Sequence, residues 1–308
     1  MVSRIGIHES VDAVFPPAAL HRELDDVDAD VVVVDTDGVG TVDALVTFAY
    51  DDAFLSADLA WIHSIQAGVD RFPFEDLEAE GVALTNSTGT HGDSVGETVA
   101  GYMLSFARRL HRYRDQQGDR EWAWPDYDDP FTLDGSSLCV VGLGTLGRGV
   151  AARADALGMD VTGVKRTPTP VDHVDAVYPA GDLREAVADA RFVALAVPLT
   201  DETEGLVGAS ELAAMRDDAY LVNVARGGVV DQDALVDALQ SGGLAGAALD
   251  VFEEEPLPED SPLWEMDEVI VTPHAAAANR DYPRRIAALV RENAERVARG
   301  DDMVNRVV

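Results

Sequence analysis

The stretch Leu138-Cys-Val-Val-Gly-Leu-Gly-Thr-Leu-Gly147 decides the fold. Its four apolar residues before Gly142 predict a buried strand, and the Ala-rich residues 150–157 predict a helix that follows. Between them stands G-x-G-x-x-G, whose glycines permit a tight turn, a close approach of backbone to ligand and close packing of helix on strand. Because the N-terminus of such a helix offers free N–H groups and a positive dipole end, the stretch predicts a site for the phosphates of a dinucleotide.

Short apolar runs alternate with amphipathic segments on both sides of this stretch, a pattern typical of βαβ units and parallel sheets. The fold class is therefore α/β. Strands are expected at 4–8, 31–35, 45–48, 61–65, 82–85, 138–141, 160–164, 192–197, 220–224, 246–250 and 269–272. We also expect a long helix after Ser94 through about Arg114 and a last helix at 282–299. The segment 116–134 reads as irregular chain, and its Trp122 and Trp124 are expected to pack this interdomain segment rather than line a pocket.

The composition indicates a globular protein of about two domains, since 47% of its 308 residues are hydrophobic. No apolar run approaches the ~18 residues of a membrane span, and the first residues lack a secretory signal, so we expect a cytoplasmic protein. The one cysteine, Cys139, stands in an apolar run and predicts a buried structural thiol.

The charge is extreme, because 57 Asp and Glu against 23 Lys and Arg give a net charge of -34 at pH 7. Such a charge opposes binding to nucleic acid or to an anionic membrane, and high salt would screen the self-repulsion. With a single lysine in the chain, the composition resembles that of proteins from salt-loving archaea. An ordinary acidic cytosolic protein is the alternative.

The residues after the second strand of the dinucleotide unit predict which cofactor binds. About 20 residues beyond the glycines, where an acidic residue would take the ribose hydroxyls of NAD, the chain has Lys165, Arg166 and Thr167. Two cations and a hydroxyl suit the 2′-phosphate of NADP(H), which a carboxylate would repel. The alternative is that Lys165 and Arg166 are a solvated surface pair. Against it, the only lysine of the chain stands at the position where the dinucleotide motif places the residue that contacts the ribose. We therefore expect NADP(H), with weaker use of NAD(H).

Three further motifs put reactive side chains at the ends of predicted strands. Arg226 follows the strand at 220–224. Asp250 is the last residue of the strand at 246–250, and Glu255 lies five residues beyond it. His274 follows the last strand, at 269–272. Oxidation of an alcohol next to a carboxylate needs a proton acceptor, a partner for that base and a cation for the oxygens. Each residue alone could be an ordinary strand-end or surface residue, but together they offer this set.

With these motifs in place, the chain resembles the D-isomer-specific 2-hydroxyacid dehydrogenase family over nearly its whole length. The intervals of 29 residues from Arg226 to Glu255 and 19 from Glu255 to His274 look like the family's catalytic spacing. The run from Ala275 to Asn279 departs from the family, which often has Gly and Ser there. The resemblance is carried by Gln66-Ala-Gly-Val-Asp70, Thr85-Asn86, the helix after Ser94, Gly142 to Gly147, Val197-Pro-Leu-Thr200, Asn223 to Gly228, Asp250 to Pro256 and Thr272-Pro-His274.

The resemblance implies two doubly wound parallel-sheet domains. A Rossmann nucleotide-binding domain would occupy 100–279, and a smaller flavodoxin-like substrate domain would comprise 1–99 and 280–308. A homodimer is implied as well, with an active cleft that closes on its ligands. Since the chain ends at Val308 without a regulatory extension, dedicated serine biosynthesis is disfavoured.

The resemblance also implies a role for each reacting group. His274 would exchange a proton with the substrate oxygen, and Glu255 would bind the far nitrogen of its ring and favour the charged form. Arg226 would bind the carboxylate and polarise the carbonyl. Glu254 is the alternative to Glu255, and the proline after Glu255 favours the latter.

Binding contacts are implied on both ligands. The backbone amides at Ala67 and Gly68 would hold the substrate carboxylate, and Asp250 would accept a hydrogen bond from the nicotinamide carboxamide. No metal is expected. Further cofactor contacts are predicted at Gly142, Gly144, Thr145, Leu146, Gly147, Arg148, Lys165, Arg166, Thr167, Val197, Pro198, Thr203 and Val224.

Taken together, these features predict an enzyme that reversibly reduces 2-oxoacids to D-2-hydroxyacids with NADP(H). A glyoxylate or hydroxypyruvate reductase is the alternative within this reaction class. From a different class, a nucleotide-sensing, corepressor-like binding protein has the same architecture, and the Arg, Glu and His set favours the enzyme over it.

Overall fold

The computed structural model describes residues 2–308 and divides them into two units. Unit 1 comprises residues 2–90 and 278–308, and unit 2 comprises residues 91–277. The strands are β1 (Arg4–His8), β2 (Asp30–Val34), β3 (Ala44–Thr47), β4 (Trp61–Ser64), β5 (Ala83–Thr85), β6 (Ser137–Val141), β7 (Asp160–Lys165), β8 (Ala176–Pro179), β9 (Phe192–Leu195), β10 (Tyr220–Asn223), β11 (Gly246–Leu249) and β12 (Val269–Val271). The α-helices are α1 (Pro17–Glu23), α2 (Phe74–Ala79), α3 (Gly92–Ala107), α4 (Leu110–Asp119), α5 (Thr145–Ala156), α6 (Leu183–Val187), α7 (Ala209–Leu212), α8 (Gln232–Gln240) and α9 (Tyr282–Arg299).

Both sheets are parallel and doubly wound, which confirms the predicted fold class. The sheet of unit 1 runs in the order β2-β1-β3-β4-β5, the order of a flavodoxin-like fold. The sheet of unit 2 runs β12-β11-β10-β9-β6-β7-β8, and its order reverses between β6 and β9. In open α/β sheets, ligands bind outside the carboxyl ends of the strands at such a reversal.

The sheet of unit 2 is buried on both faces. Along β6, Cys139 and Val141 point into one apolar cluster, while Leu138 and Val140 point into the other. This period of two explains why the strand reads as a continuous apolar run in the sequence. Burial raises the pKa of the Cys139 thiol to about 12, so this cysteine is the inert structural thiol that the apolar run predicts.

Helix α3 belongs to unit 2 because it crosses α5 at very close range. A Cβ at Gly96 would overlap the backbone of Gly149, and a Cβ at Gly149 would overlap the backbone of Gly92. Only glycine allows two helix backbones to come this near. Unit 2 therefore begins before α3, whereas the expected domain boundary lies inside that helix, after residue 99.

Three local features differ from the sequence prediction. The helix expected after Ser94 through about Arg114 is two helices, α3 and α4, because Arg109 takes a left-handed conformation with φ of 58° between them. The sheet has a seventh strand, β8, at its edge. Trp122 and Trp124 are 100% and 91% exposed, so the expectation that they pack the interdomain segment is wrong. Between residues 2 and 308, no helix is long and apolar enough to span a membrane.

Candidate active site

The glycine turn lies where the sheet of unit 2 reverses its order. Gly142 has a φ of 98°, which suits glycine, and its N–H donates to the carbonyl of Val164 at 2.9 Å. A Cβ at Gly142 would stand 2.7 Å from the carbonyl oxygen of Ala196, and one at Gly147 would overlap the carbonyl oxygen of Gly142. The first and third glycines are therefore required by packing within the protein.

The second glycine, Gly144, faces open space instead of packed backbone. Gly144 is exposed, precedes α5 as its N-cap, and a Cβ built on it would meet nothing within 4 Å. No side chain caps this helix, so the N–H groups of its first turn at Thr145, Leu146 and Gly147 face that open space. An open space in front of uncapped N–H groups is what a pyrophosphate needs, and the cradle fits the phosphates of a nicotinamide dinucleotide.

The three residues predicted to select NADP(H) lie next to this turn. Lys165 ends β7 and is half-buried, while Arg166 and Thr167 follow it and are exposed. The Lys165 ammonium donates to Thr169 Oγ1 at 2.9 Å. Because β7 pairs with β6 and the turn at Gly142 binds Val164, the cations stand directly beside the glycine turn.

The other predicted cofactor residues line the same edge of the sheet. Val197 and Pro198 follow β9, and Val224 follows β10 and is buried. Thr203 closes the loop after β9, since its hydroxyl donates to Pro198 O at 2.6 Å and accepts from Thr200 N at 2.8 Å. The Arg148 guanidinium folds back on the glycine turn and donates to the carbonyl of Leu143 at 3.2 Å.

His274 and Glu255 form a hydrogen-bonded pair. Nδ1 of His274 lies 2.7 Å from Oε2 of Glu255, and the two side chains are 40% and 37% exposed. The other carboxylate oxygen, Oε1, accepts from the backbone N–H of Phe252 at 3.1 Å, which fixes the carboxylate. His274 has a φ of 53°, a conformation that non-glycine residues adopt mainly where the surroundings impose it. Because Nδ1 of His274 faces Glu255, the ring presents Nε2 on the opposite side.

Asp250 holds the loop that carries His274. Asp250 is 2% exposed, and its carboxylate accepts from the backbone N–H groups of Ala275 and Ala276 at 2.9 and 2.8 Å. The hydroxyl of Thr272 donates to the same carboxylate at 2.6 Å, and the N–H of His274 donates to the carbonyl of Asp250 at 2.8 Å. Thr272, His274 and the two residues that follow His274 are thus anchored to one buried side chain or its backbone.

A tyrosine from α3 extends this network. The hydroxyl of Tyr102 lies 2.7 Å from Thr272 Oγ1. Thr272 has one hydroxyl proton and gives it to the carboxylate, which can only accept, so the Tyr102 hydroxyl must donate to Thr272. Burial raises the pKa of Tyr102 to about 12, and the hydroxyl keeps the proton that this arrangement needs.

Arg226 stands directly after β10, on a turn shaped by Asn223. Nδ2 of Asn223 donates to the carbonyl of Arg226 at 3.1 Å, and its Oδ1 accepts from the N–H of Ala225 at 3.0 Å. The guanidinium donates to the carbonyl of Ala225 at 2.8 Å. A Cβ at Gly227 would overlap the backbone of Phe252, so the loops that carry Arg226 and Glu255 touch.

Ala67 and Gly68 belong to unit 1, in the loop that follows β4. The carbonyl of Ala67 accepts from Asn86 Nδ2 at 2.7 Å, and the carbonyl of Gln66 accepts from Ser87 N at 3.0 Å. This loop is therefore anchored to the chain after β5. In residues 2–308, no three His, Cys, Asp or Glu side chains are grouped as metal ligands would be.

Sequence reasoning did not assign roles to Asn223, Thr272 and Tyr102. The first two stand in stretches already singled out, next to the reacting residues, so their neighbourhood was a usable signal. Tyr102 lies 170 residues before Thr272, and nothing local in the sequence marks it.

Comparison with known proteins assigns the chain to a family. The family model described as D-isomer specific 2-hydroxyacid dehydrogenase, NAD binding domain, matches residues 100–276, which is more than half of the chain. The chain belongs to the D-isomer-specific 2-hydroxyacid dehydrogenase family. The family match begins within α3 and ends just beyond His274, so it includes the glycine turn and the paired Glu255 and His274.

Individual members of the 2-hydroxyacid dehydrogenase family are similar over most of the chain. A D-3-phosphoglycerate dehydrogenase of Methanocaldococcus jannaschii is 37% identical over 235 residues, which is 76% of this chain and 44% of that protein. A glyoxylate reductase of Korarchaeum cryptofilum is 33% identical over 280 residues, covering 86% of this chain and 83% of that one. The crystal structure of a D-isomer specific 2-hydroxyacid dehydrogenase from Xanthobacter autotrophicus Py2, in complex with NADPH and MES, has a TM-score of 0.83 at 31% identity and covers 100% of this chain and 98% of that one.

Proposed function

We propose that the chain catalyses the reversible, NADP(H)-dependent reduction of 2-oxoacids to D-2-hydroxyacids. The observation that carries the proposal is the hydrogen bond of 2.7 Å between His274 Nδ1 and Glu255 Oε2. It lies at the same sheet edge as Arg226, Asp250 and the glycine turn. The family and the NADPH-bound relative support the same reaction class.

A nicotinamide cofactor held at the glycine turn would supply the hydride for the carbonyl carbon, and the protein's own residues would move the proton and bind the substrate. In reduction, Nε2 of protonated His274 donates a proton to the carbonyl oxygen, which becomes the hydroxyl of the product. Glu255 stabilises the charged imidazolium through Nδ1 and keeps the ring oriented. In oxidation, neutral His274 takes the hydroxyl proton back.

Arg226 binds the carboxylate of the substrate and polarises its carbonyl. The backbone amides of Ala67 and Gly68 remain the predicted second contact for that carboxylate. Asp250 remains the predicted acceptor for the nicotinamide carboxamide. Its oxygens already accept three hydrogen bonds from the loop at 272–276, so we propose that it also positions His274.

Glyoxylate or hydroxypyruvate reduction is the second candidate, and a glyoxylate reductase among the relatives favours it. A cofactor-sensing binding protein is the candidate from another class. The paired His274 and Glu255 argue against it, because a sensor has no use for an oriented acid–base pair. A cytoplasmic location, the absence of nucleic-acid partners and an origin in a salt-loving archaeon stay predictions.

One assay separates these candidates. NADPH consumption is followed in high and low salt with glyoxylate, hydroxypyruvate, pyruvate and branched 2-oxoacids. We expect turnover with at least one of them, and the profile of kcat/KM ranks the substrates. The acidic surface predicts that activity falls in low salt.

The matched variant is His274→Ala. Loss of the proton donor should lower kcat by about 100- to 10,000-fold. The NADPH dissociation constant, measured by fluorescence titration, should stay within a few-fold of the wild type. Cofactor binding without turnover of any 2-oxoacid by the wild type would favour the sensor and defeat the proposal.

The cofactor preference has its own test. We expect the wild type to have the higher kcat/KM with NADPH, and Lys165→Asp to reverse the ratio, because a carboxylate repels the 2′-phosphate and binds ribose hydroxyls. Arg184→Asp, on α6, serves as a control for a simple change of surface charge. A wild type that prefers NADH would contradict the assignment.

A further inference from the structure

Four consecutive carbonyl groups, at the end of β4 and in the loop after it, are held by donors from elsewhere in unit 1. The bonds run from Ser87 Oγ to Ser64 at 2.9 Å, from the Tyr282 hydroxyl to Ile65, from Ser87 N to Gln66 at 3.0 Å and from Asn86 Nδ2 to Ala67 at 2.7 Å. Loops lie at the surface, where water can satisfy such carbonyls. In this loop, protein groups fix each of the four peptide planes instead.

The last two of these bonds orient the amides predicted to hold the substrate carboxylate. A trans peptide is planar, so the carbonyl of one residue and the N–H of the next point in opposite directions. Fixing the carbonyl of Gln66 therefore orients the N–H of Ala67, and fixing the carbonyl of Ala67 orients the N–H of Gly68. Within residues 2–308 neither N–H donates to another protein group, and both residues are only half-buried. Both donors thus remain available to a ligand.

Asn86 is itself oriented by its surroundings. Its side chain is largely buried, at 9% exposure for the residue, and its Oδ1 accepts from the N–H of Thr88 at 3.1 Å. Because a backbone N–H can only be met by the amide oxygen, the amide nitrogen is left to donate to the carbonyl of Ala67. The side chain therefore has one orientation that satisfies both of its ends.

A segment far along the sequence holds Asn86 in place. The N–H of Asn86 donates to the carbonyl of Asn305 at 3.1 Å, and Nδ2 of Asn305 donates to the carbonyls of Asn86 and Thr88 at 3.2 and 2.7 Å. Asn305 has a φ of 55°, which asparagine adopts more readily than most residues. The segment is tied to α9 in turn, because the fully buried Asn293 donates to and accepts from the backbone of Val304.

We propose that Asn86 is a positioning residue for the substrate carboxylate and that Asn305 holds Asn86 in position. Asn86 acts through the peptide between Ala67 and Gly68, whose N–H it directs toward the ligand. Donors that are ordered beforehand need no further ordering when the ligand binds. The proposal rests on the proposed function, since it takes the ligand to be a 2-oxoacid. The alternative is that both asparagines only stabilise the fold of unit 1.

The first experiment compares the steady-state kinetics of the wild type and Asn86→Ala in high salt. The substrate is the 2-oxoacid that the wild type reduces with the highest kcat/KM. Weakening a hydrogen bond to a charged group should raise the KM for this 2-oxoacid by about 10- to 100-fold. Since the carboxylate is bound alike before and during hydride transfer, kcat should change by less than about threefold. The KM for NADPH should not change, because the predicted cofactor contacts lie in unit 2.

A milder variant and a matched control accompany this substitution. Asn305→Gly permits the left-handed backbone and removes both side-chain bonds, so the KM for the 2-oxoacid should rise by about 3- to 10-fold. It keeps the test valid if Asn86→Ala does not fold. Thr41→Val is the control, because it removes a hydroxyl bond of 2.8 Å to the carbonyl of Gly38 in another loop of unit 1. A lower melting temperature of the asparagine variants with an unchanged KM would overturn the proposal.

A binding measurement separates this inference from the proposed activity. Oxamate, an unreactive analogue of a 2-oxoacid, is titrated into the NADPH-loaded, ¹⁵N-labelled chain, and the amide signal of Gly68 is followed. The signal should shift in the wild type and in Thr41→Val, and Asn86→Ala should need about tenfold more oxamate or above. A shift of Gly68 in a wild type that reduces no 2-oxoacid would support the positioning and defeat the proposed activity alone. A signal that responds equally in the wild type and Asn86→Ala, or in neither, would overturn the inference.

Discussion

Each unit buries a polar cluster near the carboxyl end of its sheet, and the two clusters hold different kinds of group. In unit 1, the ring of His63 lies between two hydroxyls, with Nδ1 2.9 Å from Thr85 Oγ1 and Nε2 3.2 Å from Ser87 Oγ. In unit 2, the carboxylate of Asp250 accepts from the Thr272 hydroxyl at 2.6 Å. Both clusters join neighbouring elements through a threonine hydroxyl.

The difference lies in what each cluster anchors. His63 pairs with Thr85 across β4 and β5, so its contacts hold two strands together. Asp250 anchors a loop, and that loop carries the histidine proposed to move a proton. Hydrogen bonding satisfies both buried groups, which would otherwise be costly. The buried polar cluster of unit 1 therefore stabilises the sheet, whereas that of unit 2 holds in place the loop that carries His274.

The largest expected effect is a loss of activity when the loop at 272–276, which carries His274, is no longer anchored. Asp250→Ala removes the acceptor of three hydrogen bonds and frees the segment around His274. A displacement of about 1 Å in a reacting group can cost about 100-fold, so kcat/KM should fall by at least that factor. Steady-state kinetics with NADPH measure the loss. Asp260→Ala, at an exposed position, is the control, and a loss below threefold for Asp250→Ala would contradict the anchoring role.

A smaller effect concerns stability in acid and belongs to His63. Complete burial lowers the pKa of His63 from 6.5 to about 3 in the folded protein. Above pH 6.5 the ring is neutral in both states, but below it only the unfolded chain takes up the proton. The free energy of unfolding should therefore fall by about 1.4 kcal/mol per pH unit as the pH drops from 6.5 toward 3.

Denaturation by urea at pH 5, 6 and 7 in constant high salt measures this slope. His63→Gln should be less stable than the wild type at pH 7. Its free energy of unfolding should fall less steeply between pH 6.5 and pH 5, because the contribution of His63 is missing. His173→Asn, at an exposed position, is the comparison variant for the loss of a histidine that is not buried. Equal slopes in His63→Gln and the wild type would show that the buried ring is not the acid-sensitive group.

The smallest effect is expected at Tyr102, the outer member of the hydrogen-bonded chain Tyr102–Thr272–Asp250 in unit 2. Tyr102→Phe removes one hydrogen bond, worth about 1 kcal/mol, and should lower kcat by about 3- to 10-fold with little change in KM. The same substitution should have no further effect in a Thr272→Val background, because the hydroxyl that it binds is already absent. Additive losses of kcat in the double variant would mean that Tyr102 acts independently of Thr272 and would contradict the proposed link.

Parts of the fold and of the site that have local patterns could be predicted from the sequence. The glycine turn and the strands that end at Arg226, Asp250 and His274 have local patterns, and parallel strands bring their carboxyl ends to one edge. The fold class and these placements therefore follow from sequence. Strand β8, Ala176–Pro179, is a short edge strand that ends in proline and gives a weak signal.

Features that depend on distant contacts were out of reach. Tyr102 reads as one more apolar position of a helix, and its partner lies on the far side of the sequence. The break at Arg109 occurs at an arginine, which carries no turn signal of the kind that glycine or proline gives. The exposure of Trp122 and Trp124 could not be anticipated, since large aromatic residues are expected to be covered.

The glycine crossing of α3 and α5 has a consequence for recombination with relatives. Gly92 and Gly96 on α3 match Gly149 on α5 so closely that neither helix tolerates a side chain at these points. A chimera joined inside α3 would pair one parent's helix with the other parent's α5 and risk steric overlap. Joints before residue 91 and after residue 277 keep both helices from one parent, so a nucleotide-binding unit should be exchanged with α3 included.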